Sequence, residues 1–231
     1  MPVVYLHPIG LDARLWRDLV EPGDLALSFP GFGDTPLEGP PSLPALAEFV
    51  ASRVREPADL VGVSLGSMVA QHTALLFPDK VRSVVLACGG VASGAETSRQ
   101  RARDTREGGM AGVLDTTLER WFSPEALATE GHPGVGYARN RLLTDDPAVF
   151  AAYWEAMAEH DLRDEVGKLR IPVTVLAANG DRAVSVDVLR GVAELIEGAR
   201  FEVIDGPHIV PLENRAGFAD VVRRHLSRVP A

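Results

Sequence analysis

Six short runs of β-branched and other apolar residues recur along the chain, and the segments between them limit the folds it can adopt. VVYL near residue 4, LALSF near 27, LVGV before Ser64, SVVLA near 85, PVTVLAA near 175 and RFEVI near 202 each have the length of a strand. Helix-length segments separate most of them, which suggests a mostly parallel, doubly wound sheet, because parallel strands need crossover connections and helices on both faces bury both sides. Helical candidates lie at about 11 to 19, 43 to 55, 65 to 77, 186 to 197 and 215 to 227. The alternation fails between Gly89 and Arg170, where helical periodicity recurs at 110 to 121 and 147 to 160 without a good strand. The expected organisation is a core of residues 1–88 and 171–231, with residues 89–170 inserted as a helical cap. No internal repeat, low-complexity tract or interdomain linker is visible.

A length of 231 residues suits one α/β domain. No apolar run approaches the roughly 18 residues that a membrane-spanning helix needs, so no membrane span is expected. The opening MPVVYLHPIG lacks a basic segment leading into a long apolar one, which makes the cytoplasm the default location. The single cysteine, Cys88, cannot form an internal disulfide, in agreement with a reducing compartment. A net charge of −9 disfavours nucleic acid and acidic membranes as partners. It also disfavours anionic substrates unless local arginines reverse the field.

Within DLVGVSLGSMVAQ, Gly62, Ser64 and Gly66 fit G-x-S-x-G between a predicted strand and a predicted helix, the context this motif requires. Small neighbours permit a strained backbone at the serine and let the helix pack close to the strand, so the hydroxyl projects above the carboxyl ends of the strands. The N–H of Leu65, in the first helical turn, would point to the same place and could receive a developing oxyanion. The plainer alternative is a glycine-rich turn in which Ser64 caps the helix.

A serine needs a base to act as a nucleophile. His208, in IDGPHIVPLENR, follows the last predicted strand and lies on the sheet edge where ligands of open α/β sheets bind. His225 beside Arg223 and Arg224 reads as part of a solvated helix face, and His72 as structural. For His132 and His160, a substrate contact and no role at all are equally open. The orienting carboxylate is expected at Asp181, just past PVTVLAA. Asp205, only three residues before His208, is better suited to shaping the turn, while Asp181 could alternatively cap the helix near Val186.

The chain order Ser64, Asp181, His208 is that of α/β-hydrolases and of neither common protease arrangement. Over essentially its whole length the chain resembles that superfamily, with GVSLGSMVAQHTALLFPDKVRSVVL the most specific stretch. Within it, GGMAGVLDTTLERWF, DPAVFAAYWEAMAEHDLRDEVGKLRIPVTVLAANGD and the GPHIVPLEN ending resemble 3-oxoadipate enol-lactonases and their relatives. The resemblance implies an α/β-hydrolase fold and a second oxyanion donor where YLHPIG ends the first strand. Pro8 has no N–H, so Ile9 is the candidate, with Gly10 allowing close approach and His7 bracing the loop. Two departures stand out: the usual amino-terminal hairpin is missing from this reading, and ALSFPGFGDTP replaces the familiar aspartate-arginine-glycine turn. Ser67 also stands where a glycine is common.

The chemistry implied is hydrolysis of a small-molecule ester or lactone through an acyl-enzyme, without metal or organic cofactor. Carbon–carbon bond hydrolysis or cofactor-free perhydrolysis on the same triad are alternatives, as is a noncatalytic ligand-binding protein. An enol-lactone of 3-oxoadipate carries a free carboxylate, so an acidic protein needs a local cation to bind it. Arg120, Arg139 and Arg141 near Trp121 and Trp154 are the cap candidates, with Arg139 favoured among the arginines and Trp121 and Trp154 as an apolar wall. Solvated arginines and inward-packed tryptophans are the ordinary alternative. Oligomeric state is not legible.

Overall fold

The computed structural model describes residues 1–230. All six expected runs are strands: β1 (Val3–Leu6), β2 (Leu25–Leu27), β3 (Ala58–Val63), β4 (Val81–Ala87), β5 (Val173–Ala178) and β6 (Arg200–Ile204). They form one parallel sheet in the order β2-β1-β3-β4-β5-β6. Every residue of β1, β3 and β5 is buried, which explains why these strands read as continuous apolar runs rather than alternating ones.

The core helices are α1 (Leu43–Arg53) and α2 (Leu65–Leu76), and after the inserted segment α7 (Val186–Leu195), α8 (Val210–Glu213) and α9 (Arg215–Leu226). The helix expected at 11 to 19 is instead a single 3-10 turn, Ala13–Trp16, capped by Asp12. Pro22 and Gly23, both poor helix formers, stop any continuation before β2 begins at Leu25.

The order of the strands fixes where a site can form. From β1 the chain moves outward to β2, then returns past β1 to β3 and continues in the opposite direction. Right-handed crossovers therefore put the β1–β2 connection on one face and α1, α2 and α7 on the other. The turn after β1 meets α9 on the first face, where the rings of Trp16 and Phe218 lie 5.8 Å apart. Between β1 and β3 the two loops diverge to opposite faces, opening a crevice at the strands' carboxyl ends.

Residues 89–170 hold α3 (Ala95–Trp121), α4 (Pro124–Ala128), α5 (Pro133–Thr144) and α6 (Pro147–Ala158). Gly109, at φ 62° and ψ −174°, breaks α3 into two helical pieces. The second piece and α6 correspond to the periodicity seen at 110 to 121 and 147 to 160. The first piece and α5 were not legible because they bury small or polar groups, such as Ser98, Ala102, Thr105 and Ala138, instead of an apolar stripe. Proline in the first turn and a side-chain cap from Ser123, His132 or Asp146 start α4, α5 and α6. The two ends of the segment are pinned together by an antiparallel bridge between Ala92 and Asp161 and by Leu162 N–H donating to Val91 O at 2.7 Å.

Candidate active site

Ser64 follows the last residue of β3 and stands at φ 55° and ψ −115°, one of two non-glycine residues with positive φ among those described. Its N–H donates to Ala87 O at 2.9 Å, so the β3–β4 ladder holds it at the strand end. Such a backbone costs of order 1–3 kcal/mol and persists only where its surroundings enforce it. They do so through two glycines. A β-carbon on Gly62 would meet Gly66 O at 2.2 Å, and one on Gly66 would meet Leu6 O at 2.1 Å. The hydroxyl makes no capping hydrogen bond to α2. It faces His208 instead.

His208 Nε2 lies 3.0 Å from Ser64 Oγ, and Nδ1 lies 2.8 Å from Asp181 Oδ2. With Nδ1–H donating to the carboxylate, Nε2 is left as an acceptor for the serine hydroxyl. Asp181 is held by its own turn, where Oδ1 accepts from Ala183 N–H at 2.7 Å and Val184 N–H at 2.9 Å. It does not cap α7, whose cap is Ser185. Asp205 turns away from His208 and accepts from Asn179 Nδ2 at 2.6 Å, shaping the loop that carries His208. The side chains of Asp181 and His208 are almost fully shielded from solvent, which strengthens their electrostatic coupling.

The loop after β1 sits at the other side of the crevice. Ile9 lines the cavity above Ser64, and neither Ile9 N–H nor Leu65 N–H has a protein acceptor among the described residues. Gly10, at φ 72°, packs so tightly under the inserted helices that a β-carbon would lie 2.8 Å from both Leu142 and Phe150. His7 braces this loop as expected. Its Nδ1–H donates to Pro8 O at 2.7 Å and its Nε2 accepts from Phe29 N–H at 2.9 Å. Burial drives its pKa down to about 4, keeping the ring neutral.

A cavity of about 490 Å³ opens over Ser64 and His208. Trp121 and Trp154 line it, as do Arg120 and two arginines that the sequence reading passed over, Arg101 and Arg182. Arg139 does not line it: its guanidinium is half exposed and faces Asp115 at 3.7 Å. Arg141 is buried in a pair with Asp12 at 3.1 Å and with Asp145, a structural tie between the β1 loop and α5. His132 caps α5, and His160 holds Gly90 O at 3.1 Å while contacting His72 at 3.2 Å, so none of the three lines the cavity. The reading of His225 as solvated is corrected. It is 4% exposed, with Nδ1 2.9 Å from Thr174 Oγ1.

Cys88, Asp181 and His208 offer donor atoms within 4.8 Å of one another. The donor set is poorly suited to a metal. The histidine and carboxylate atoms are engaged with each other, and burial pushes the Cys88 thiol well above its ordinary value, so the thiolate a metal needs is disfavoured.

A sequence model described as "Alpha/beta hydrolase family" matches residues 3–221. The chain is 29% identical over 173 residues to 3-oxoadipate enol-lactonase 2 of Acinetobacter baylyi, covering 74% of this chain and 64% of that protein's length. It is 32% identical over 194 residues to the pimeloyl-[acyl-carrier protein] methyl ester esterase of Aeromonas hydrophila, covering 74% of this chain and 73% of the relative. Among solved structures, the enol-lactonase from Burkholderia xenovorans LB400 superposes with a TM-score of 0.91 at 25% identity, covering 98% of this chain and 91% of that one.

Proposed function

Since the chain belongs to the alpha/beta hydrolase family, we propose that it is a serine hydrolase that cleaves a small carboxylic ester or lactone through an acyl-enzyme. The observation that carries this reading is the continuous contact from Asp181 through His208 to a strained Ser64 at the floor of a cavity. Such contact is what proton abstraction from a weak nucleophile requires.

In this reading Ser64 Oγ attacks the substrate carbonyl carbon while its proton passes to His208 Nε2. Asp181 keeps the ring in the useful tautomer and balances the imidazolium that forms. The oxyanion is received by the free N–H groups of Ile9 and Leu65. The tetrahedral intermediate collapses by breaking the bond to the leaving oxygen, which takes the proton from His208. With a lactone, the leaving oxygen stays attached to the acyl chain as the ring opens. Water then attacks the acyl-enzyme as His208 accepts its proton, and the same steps in reverse order release the acid and restore Ser64.

Residues 89–170 act in this reading as a cap that supplies half of the residues lining the cavity. A 3-oxoadipate enol-lactone, within aromatic-ring breakdown in the cytoplasm, is the specific substrate to try first, given the enol-lactonases among the relatives. Labelling with a fluorophosphonate probe tests the chemistry directly. Wild type should gain one covalent adduct, located at Ser64, and Ser64→Ala should gain none. Hydrolysis assays on a panel of lactones, neutral esters and ring-cleavage diketones then separate this reading from carbon–carbon bond cleavage.

A further inference from the structure

Most arginines of the inserted helices are paired with an acid. Arg99 reaches Glu159 at 2.7 Å, Arg103 reaches Glu96 at 2.6 Å and Arg106 reaches Glu155 at 2.6 Å, all at the exposed surface. Arg101 and Arg120 differ. Both line the cavity that contains Ser64 and His208, and neither has a carboxylate within ion-pair distance among the described residues. Arg120 has only a long contact of 3.5 Å to the Thr117 hydroxyl.

What holds the two arginines is one aromatic ring. The guanidinium carbon of Arg101 is 4.7 Å from the centroid of the Trp154 ring and that of Arg120 is 5.8 Å from it. In an unbroken helix, residues 19 apart are separated by roughly 28 Å along the axis, too far for both to reach one indole. The break at Gly109 brings the two pieces of α3 together around α6. A β-carbon at Gly109 would meet no atom within 4 Å, so it is the φ of 62°, not crowding, that calls for glycine there.

Two partly buried cations beside each other, without counter-ions, oppose folding. Burial lowers the pKa of Arg120 to about 10, with the charge of Arg101 adding to the effect, and burial lowers that of Arg101 as well. Cation–π contact with Trp154 offsets only part of this cost. Arg182 lines the same cavity with its Nη1 on Glu119 O at 3.3 Å, while the cavity's one lining carboxylate, Asp181, faces His208. The cavity is therefore positive in a protein whose net charge is −9.

We propose that Arg101 and Arg120, both held against Trp154 and both lining the cavity, form a subsite for a free carboxylate of the substrate, so that the cavity selects acidic esters or lactones over neutral ones of the same size. The planar guanidinium forks suit a carboxylate, whose negative charge would offset their mutual repulsion. Hydrolysis of such a substrate yields a product that retains the same carboxylate, so dicarboxylic products should compete for the subsite. The inference rests on the reading of this cavity as the reaction site, and binding can be measured apart from turnover.

Ser64→Ala protein is titrated calorimetrically with monomethyl glutarate and with dimethyl glutarate, which are similar in size and differ by one negative charge. The monoester should bind about tenfold tighter or better, as charge-assisted hydrogen bonds allow, and the ratio should shrink as salt rises. Arg101→Gln and Arg120→Gln should each lower the ratio, and the double substitution should bring it close to one. Equal affinity in the parent, no detectable binding of the monoester, or a ratio unchanged in both variants would overturn the subsite. If the acid preference is present but wild type hydrolyses no ester or lactone, the subsite stands and the hydrolase reading falls.

Discussion

Leu6 and Gly66 touch so closely that a single added carbon would not fit: a β-carbon on Gly66 would lie 2.1 Å from the Leu6 carbonyl oxygen. The start of α2 thus rests on the end of β1. That contact sets the height of Ser64 beside the Ile9 loop, and the sheet order makes the two strands neighbours.

Gly66→Ala should therefore cost about 3 kcal/mol or more, because backbone on both sides leaves no flexible side chain to yield. Gly109→Ala faces open space and carries only the backbone penalty of about 1–3 kcal/mol for a nearly glycine-only conformation. Urea unfolding of both variants checks the ranking; the opposite order would mean the α2–β1 contact is looser than described.

The two aspartates near His208 should separate cleanly. Asp181→Asn should lower kcat by roughly 10³ to 10⁴ by favouring the wrong histidine tautomer, whereas Asp205→Asn loosens a turn and should leave most of the turnover. Steady-state kinetics on one chromogenic ester would reveal a reversed ranking, and with it a misassigned carboxylate.

Stability should fall on mild acidification. Burial lowers the pKa of His7, His72 and His225 to about 4 each and lowers His160 as well, while the unfolded chain protonates histidine near 6.5. The folded state therefore binds fewer protons than the unfolded one between these values. The histidine contribution is intact above pH 6.5, declines as pH falls toward 4, and levels off below that, where Asp12 and Asp161, whose ion pairs lower their pKa despite the burial of Asp12, take over the loss. Fully buried His7 alone contributes a slope of up to about 1.4 kcal/mol per pH unit. Asp145, raised by burial to about 7, opposes this with one proton over the same window. Urea midpoints measured from pH 7.5 to 4.5 should drop steadily, and a flat or rising series would contradict the burial of these rings.

The sheet was legible because β1, β3 and β5 are buried along their whole length and read as continuous runs, and the three residues that meet at the cavity floor were legible because each follows a strand. Arg101 was not, since it lies in a charged stretch whose neighbours at 99, 103 and 106 are ordinary surface ion pairs. Nothing in AETSRQRARDTREG distinguishes it until the break at Gly109 folds α3. Arg139 was favoured for its position before LLTDDP, but helix α5 turns it toward Asp115. His225 misled for a similar reason: its arginine neighbours are exposed, yet the helical period turns the histidine itself onto β5.

The most direct measurement of the central claim is the turnover of Ser64→Ala, His208→Ala and the double variant on one activated ester, with folding checked by circular dichroism. If Ser64 and His208 act as one unit, each single change lowers kcat by several orders of magnitude and the double is barely worse than either. Single variants that each retain a tenth or more of wild-type turnover would contradict the account.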